Sequence, residues 1–341
     1  MTSSCDVLGL GCTAVDDILF LPRYPAADAK MEVRRRERHC GGLTATALVT
    51  AARLGLRCAF AGTLGHDDGS RFVLETLRRE KVDLHPVVLR PEAGPVRSVI
   101  LVDEQRQTRN IFYEARQVRG ADPRLPPARR IRSARVLLVD RFGIPGMIRA
   151  ASLARAAGVA VVADFESFRV PRFDELLALV DHLVVSFEFA RQYTRASAPR
   201  RATELLWTRQ RAVVVVTCGA QGCWYLQAPG RRAEHLPAFK VQARDTTGCG
   251  DVFHGAYAAG LVWGLPLVER LRFASATAAL KAMQTGGQAG IPKRAAVQAF
   301  LRARTIGWRT MASQVPQEKK RPGRVPARSR RNQAAQSGKR G

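Results

Sequence analysis

Residues 245–261 read DTTGCGDVFHGAYAAGL, and their types and spacing suit phosphate chemistry. Gly248 and Gly250 carry no side chain to keep an anion from the backbone N–H groups, and they permit tight or left-handed turns. The apolar run that follows reads as a helix, whose first N–H groups lack partners and whose dipole is positive at that end. Together these make an anion site. Asp251 stands at its mouth, where a carboxylate would repel phosphate. It is placed to accept a proton from an attacking hydroxyl, or, in the plainer reading, to stabilise the helix through its dipole. His254 inside the apolar run reads as a core histidine. His66, Asp67 and Asp68 in GHDDG read as a solvated turn rather than a metal site.

The elements that position this segment follow from periodicity. CDVLGLG, RCAFAGTLG, ARVLLVD, VAVVADF, DHLVVSF and AVVVVTCG read as strands. Amphipathic segments lie between them: TATALVTAARLG, GSRFVLETLRREKV, and about 146–157, 172–180, 187–195 and 200–208. Strands apolar throughout and separated by helices predict an α/β fold with a parallel sheet covered on both faces. Two insertions, 16–38 and 96–114, look like pairs of polar-alternating strands and predict a small second sheet. A ligand in such a fold binds at the carboxyl ends of the strands, where a second sheet would act as a lid.

Composition bounds the rest. With 46% hydrophobic residues in 341, the chain can build a large core. Its 55 Lys+Arg against 29 Asp+Glu give a net charge of +26 and favour anionic partners. The segment from about residue 314 has nine basic residues, one acid and no apolar periodicity. It reads as a disordered basic tail over 311–341, behind a domain spanning 1–310. The seven cysteines form no C-x-x-C pair and no signal peptide precedes them. That predicts free thiols and a cytoplasmic setting. No stretch reads as a membrane span.

The segment quoted first resembles the C-terminal signature of the ribokinase-like (PfkB) carbohydrate kinases. GLGCTAVDDILFLPRYP resembles that family's first strand and sugar-binding loop. CGGLTATALVTAARLG with AFAGTLGHDDGSRF resembles its N-terminal signature. VVVVTCGAQGCWY resembles its nucleotide segment, and FASATAALKAMQTGGQAGIP its C-terminal nucleotide region. The resemblance runs over about 5–303. It implies a three-layer α/β/α, Rossmann-like domain with a β-sheet lid, and magnesium- and ATP-dependent phosphorylation of a sugar hydroxyl. It puts Asp251 on the catalytic base and Gly248, Cys249 and Gly250 on the anion hole. Asp16, Gly41, Gly42 and Thr46 fall on sugar-contacting positions, and Thr217, Gly219 and Gly222 on the ATP segment. Ser186 and Glu188 fall near a motif that bears on the metal-phosphate network. Asp245 and the Thr247 carbonyl fall where some members hold a monovalent cation, potassium being the candidate. The magnesium ligands are left unnamed. Lid-to-lid homodimers occur in the family.

The residues agree with several of these roles. Asp16 could accept hydrogen bonds from two sugar hydroxyls, and Gly41 and Gly42 would let substrate lie against backbone. Three positions depart from the family pattern. Thr46 stands where Asn is usual and offers fewer hydrogen-bonding groups. Ser186 replaces another Asn. Cys249 replaces Ala, which could make the anion hole oxidation-sensitive. AFKVQARDTTGCGDVFHGA and GGQAGIP look most like the branch that contains 6-deoxy-6-sulfofructose kinase. That resemblance points to an anionic sugar, with Lys30 in the lid and Arg141 at a strand end as candidate contacts, and with Phe112 where a polar contact is expected. The competing reading is a repurposed kinase fold that binds nucleic acid through its basic tail.

Overall fold

The computed structural model describes residues 5–106, 108–228 and 232–312. The chain divides into a compact unit of residues 1–301, which holds every element of the site, and a second of 302–341. The tail expected over 311–341 lies, but for the end of the last helix, outside the described residues.

The chain opens with β1 (Val7–Leu10), crosses into β2 (Ala14–Leu21) and β3 (Arg35–Gly41), and turns into α1 (Leu43–Arg53). Then come β4 (Cys58–Phe60), β5 (Thr63–Leu64), α2 (Asp68–Arg79) and β6 (Val88–Leu89). The excursion β7 (Val96–Asp103) and β8 (Thr108–Glu114) follows. A regular alternation comes next: α3 (Ala128–Arg132), β9 (Val136–Val139), α4 (Ile144–Ala156), β10 (Ala160–Asp164), α5 (Phe173–Ala178) and β11 (His182–Ser186). It continues through α6 (Phe187–Thr194), α7 (Pro199–Leu206), β12 (Val213–Thr217), β13 (Cys223–Leu226) and β14 (Glu234–Leu236). Helices α8 (Cys249–Val262), α9 (Leu267–Ala282) and α10 (Arg294–Ala312) end the fold.

Among the described residues the main sheet has eight strands in the order β14-β13-β12-β11-β10-β9-β1-β4. It is parallel from β4 to β12 and antiparallel at β13 and β14. The uniformly parallel sheet expected from the apolar runs therefore stops at β12. Only a 3-10 turn, Gly219–Gln221, separates β12 from β13; a crossover needs a dozen residues or more, so the chain can only fold back. The RCAFAGTLG run also divides, its second half leaving the main sheet to pair with β6. Alternate residues of the apolar strands feed two cores. Val136, Leu138, Val162 and Val184 pack under α1, α8 and α9; Leu137, Val139, Val161 and Val185 pack under α4 to α7.

The lid is a separate four-stranded sheet, β3-β2-β7-β8, built from the two insertions as expected. Its register puts Asp16, His39, Ser98 and Tyr113 in one row, and Asp17, Arg38, Val99 and Phe112 in the next. Adjacent rows point to opposite faces. Phe112 is thus on the face away from Asp16, and Tyr113 is its lid neighbour on the near face.

Two helices meet closely beneath the lid. A Cβ on Gly255 of α8 would lie 2.7 Å from Thr50 Cβ of α1 and would collide with the Ala47 carbonyl. In an open helix Gly→Ala stabilises by about 1 kcal/mol. Here the sign should reverse: Gly255→Ala should cost about 1–3 kcal/mol by overpacking, read as a lowered denaturation midpoint. An unchanged or raised midpoint would mean that α1 and α8 are not in contact.

Candidate active site

Strand order reverses at β1, with β4 on one side and β9 on the other. Ligands of open α/β sheets bind outside the carboxyl ends of strands at such a point. Those ends carry acids: Asp140 just after β9, Asp164 closing β10, and Glu166 two residues on. Asp140 is fully buried and ties the crevice together. Its Oδ2 accepts from the Cys12 amide at 2.7 Å and from Thr44 Oγ1 at 2.9 Å, and its Oδ1 accepts from the Phe142 amide at 2.8 Å. One carboxylate thus fixes the exit of β1, the start of α1 and the exit of β9.

The N-termini of α1 and α8 project into the same space. Gly42 caps α1 at φ 95, and a Cβ there would lie 2.6 Å from the Thr13 backbone. Gly248 caps α8 in the left-handed region at φ 72, with Thr46 Cγ2, Asp251 Oδ2 and Gly287 Cα all 3.6–3.8 Å from where its Cβ would be. The predicted anion-hole residues and predicted base are therefore next to the predicted sugar-contacting Thr46. Space beside Gly250 is open. The side chain of Cys249 turns inward, its thiol 3.7 Å from the Ala278 carbonyl, and burial pushes its pKa up. The thiol is less readily ionised than a free one, contrary to the oxidation sensitivity expected for it.

Asp251 is half-buried and its pKa is well above the ordinary carboxylate value, through burial first and then the nearby charges of Asp164, Glu166 and Asp16. Asp164 is raised well above it too, by burial and by Glu166 and Asp140. Its Oδ2 is buried with no hydrogen-bond donor among the described residues. His254 Nδ1 is 3.1 Å from that oxygen but is directed at the Gly250 carbonyl, 2.8 Å away, and Nε2 faces the Val184 carbonyl at 2.8 Å. Burial holds the His254 pKa below its ordinary value against these acceptors. His254 is thus a buried, bonded histidine as expected, one turn behind Asp251.

Asp16 and Gly41 also come together, for the Asp16 carboxylate lies over Gly41 where a side chain would otherwise stand. Burial raises the Asp16 pKa, and a hydrogen bond from Ser98 offsets part of the rise. Thr46 is buried, and its hydroxyl accepts from Gln288 Nε2 at 3.3 Å. Ser186 and Thr217 are register partners at the ends of β11 and β12. Beyond Thr217 the chain turns tightly through Gly219 and Gly222, with Cys218 N–H donating to the Gly222 carbonyl at 2.7 Å. Glu188 is largely exposed and engaged on its own helix by Arg191 at 2.9 Å and Gln192 at 2.6 Å. Lys30 is exposed in the connection between β2 and β3. Asp67 caps α2 through Ser70, and among the described residues no group of three or more acidic, His or Cys side chains forms a metal site, the GHDDG turn included.

Asp245 and Thr247 do not fit a monovalent cation. The Asp245 Oδ1 accepts from Thr247 N–H at 2.8 Å and its Oδ2 from Gly286 N–H at 2.9 Å. Two cations already flank it: Lys281 Nζ is 3.7 Å from Oδ2, and Arg109 Nη1 of the lid is 3.7 Å from Oδ1. A further unit charge about 4 Å from either would be repelled by about 4 kcal/mol at an effective dielectric near 20.

Several site residues escaped the sequence reading. Asp140 and Asp164 each leave a signal, an acid closing an apolar strand. Gln288, Arg109 and Lys281 leave none, because only folding brings them to the crevice. The Asp140 pKa is raised from 3.8 to about 6, chiefly by burial. The associated stability is present in full below pH 3.8 and is lost as pH rises through about 6. Over about pH 4 to 7 the unfolding free energy of the wild type should fall relative to Asp140→Asn by on the order of 2–3 kcal/mol. Parallel curves in denaturant titrations would show that this carboxyl does not titrate there.

The pattern of the pfkB family carbohydrate kinases matches residues 7–294. A 5-dehydro-2-deoxygluconokinase of Shouchella clausii is 27% identical over 322 residues, covering 87% of this chain and 95% of its own. A ribokinase of Staphylococcus aureus is 26% identical over 300 residues, covering 84% and 96%. Among solved structures, Arabidopsis thaliana ribokinase complexed with ribose and ATP aligns with a TM-score of 0.76 at 23% identity, over 88% of this chain and 99% of that one. Thermotoga maritima ribokinase aligns with a TM-score of 0.74 at 23% identity, over 87% and 99%.

Proposed function

Since the chain belongs to the pfkB family of carbohydrate kinases, we propose that it moves the γ-phosphoryl group of ATP to a hydroxyl of a sugar or anionic sugar derivative, with Asp251 as the base. The observation that carries this reading is the placing of Asp251. Its carboxylate stands beside the Gly248 cap of α8, next to Thr46, with a pKa raised by burial and by neighbouring acids. A base so raised has more affinity for the hydroxyl proton than an ordinary carboxylate. Amides of the 248–250 turn would meet the charge of the transferring phosphoryl group.

The sugar would lie between Asp16 of the lid and Thr46 of α1, against the glycine backbone at 41 and 42. Nucleotide would lie over the ends of β11 and β12, near Ser186, Thr217 and the 219–222 turn. Arg141 is the basic group favoured for an anionic substituent. Its Nε is buried without a hydrogen-bond partner among the described residues, and its charge acts on Glu166. Lys30 is exposed and would need the lid connection to move.

The acid cluster fits magnesium. Asp164 Oδ2 is buried without a donor, and the crowding among Asp164, Glu166 and Asp251 is what a divalent cation relieves. With no closed metal site among the described residues, the ion would come with the phosphates of ATP. Asp164 and Glu166 are the residues to hold it or its waters, and bound there it would neutralise phosphate charge.

Asp251→Asn should lower turnover by about 10²–10⁴-fold while leaving ATP binding in place, measured by ADP release with a sugar panel and by nucleotide titration. Gly250→Ala should fold at least as well as the wild type, because the space there is open, yet turn over at least about tenfold more slowly if that space receives phosphate. In the wild type kcat/KM should fall with acid at a pH above the usual carboxylate range. Near-normal turnover by Asp251→Asn would remove it from the base role.

A further inference from the structure

Lys281 has its side chain fully buried, 0% exposed, in the last turn of α9. A buried ammonium needs partners, and this one has two from a single residue: Nζ donates to the Asp245 carbonyl at 3.0 Å and lies 3.7 Å from Asp245 Oδ2. Asp245 is the first residue of the DTTGCGD segment. Its amide donates to the Ala282 carbonyl at 3.1 Å, and the Arg244 amide donates to the same oxygen at 2.7 Å. The end of α9 thus grips the entry to the anion-hole turn through backbone and side chain together. Through its carboxylate, Asp245 then passes that grip to Thr247 on one side and Gly286 on the other. The charged groups around the ammonium are Asp245, Asp251, the Cys249 thiol and, as a like charge, Arg109.

We propose that Lys281 is a built-in substitute for a monovalent cation: its tethered ammonium holds the 245–250 turn in its anion-binding shape and makes the site independent of potassium. This rests on the kinase reading for the turn's purpose. Lys281 is a positioning residue, since it acts through Asp245. Both atoms it faces are acceptors, which suits the ammonium form. Burial lowers its pKa, and the neighbouring Asp245 carboxylate acts against that fall. With the tether in place the Asp245 carbonyl is taken by Lys281, and each carboxylate oxygen accepts an amide and faces a cation already.

The test compares wild type with Lys281→Ala, which leaves room for an ion, in potassium, sodium or choline chloride at one ionic strength. Melting temperature and ATP titration are read with the full chain, and ADP release where a sugar is turned over. The wild type should melt, bind and turn over alike in all three salts, within about twofold. Lys281→Ala should lose about tenfold to a hundredfold in turnover through a misplaced turn. It should regain part of that loss, and melt higher, in potassium but not in choline. A wild type that melts several degrees higher or turns over several-fold faster in potassium overturns the proposal, as does a Lys281→Ala protein that responds to no cation. If Lys281→Ala does not fold, the wild-type salt comparison decides alone. Should no sugar be turned over, melting and nucleotide binding still decide the role of Lys281, and only the kinase reading is weakened.

Discussion

The site depends on the close approach of α1 and α8. Gly255 lets the two helices touch at Ala47 and Thr50, and the contact brings both N-termini, at Gly42 and Gly248, to one crevice. Each terminus carries unpaired amides and a positive dipole end. Two such termini side by side form a strong anion-attracting surface built almost wholly of backbone. Both caps hold a positive φ that favours glycine, and at Gly42 a side chain would also collide with the Thr13 backbone.

Acidic side chains oppose this positive surface. Asp140, Asp164 and Glu166 at the strand ends and Asp251 in the first turn of α8 all have raised pKa values, burial being the first cause in each, and nearby acids add to the rise at Asp251 and Asp164. Four carboxyls thus gather at the mouth of two helix termini, the arrangement on which the proposed magnesium and phosphate binding rests. The basic groups are arranged around the rim and behind the turn. Arg141 lies beside Glu166, Lys281 behind Asp245, and Arg109 reaches from the lid to Thr246 at 3.5 Å. That last contact joins the lid to the 245–250 turn.

The lid shows how register decides chemistry. Asp16 and Asp17 are adjacent in sequence, yet they face opposite ways. Asp16 shares its row with Ser98 and Tyr113 and faces the crevice with a raised pKa. Asp17 pairs with Arg38 and Arg36, and its pKa is lowered chiefly by the Arg38 hydrogen bond. The same pleat puts Phe112 on the lid face away from Asp16.

The sequence by itself determined the alternation of apolar strands and helices, the two-strand insertions that make the lid, and the glycine-rich turn with its single acid. All are local: periodicity, turn residues and a helix start act over a few neighbours, so composition and spacing record them. The family resemblance extended that reading to Asp16, Gly41, Gly42, Thr46 and the nucleotide turn. Tertiary structure alone decided the rest. It turned β13 and β14 antiparallel, because a 3-10 turn left no length for a crossover. It gathered Asp140, Asp164 and Glu166 around Asp251, and set Gln288 on Thr46. It also buried Lys281 against Asp245, where the family resemblance had suggested an ion. The antiparallel turn is local, but the side-chain contacts span 36 to 242 positions of chain, and no local pattern carries them. A lysine in a helix reads as solvated until the fold shows what covers it.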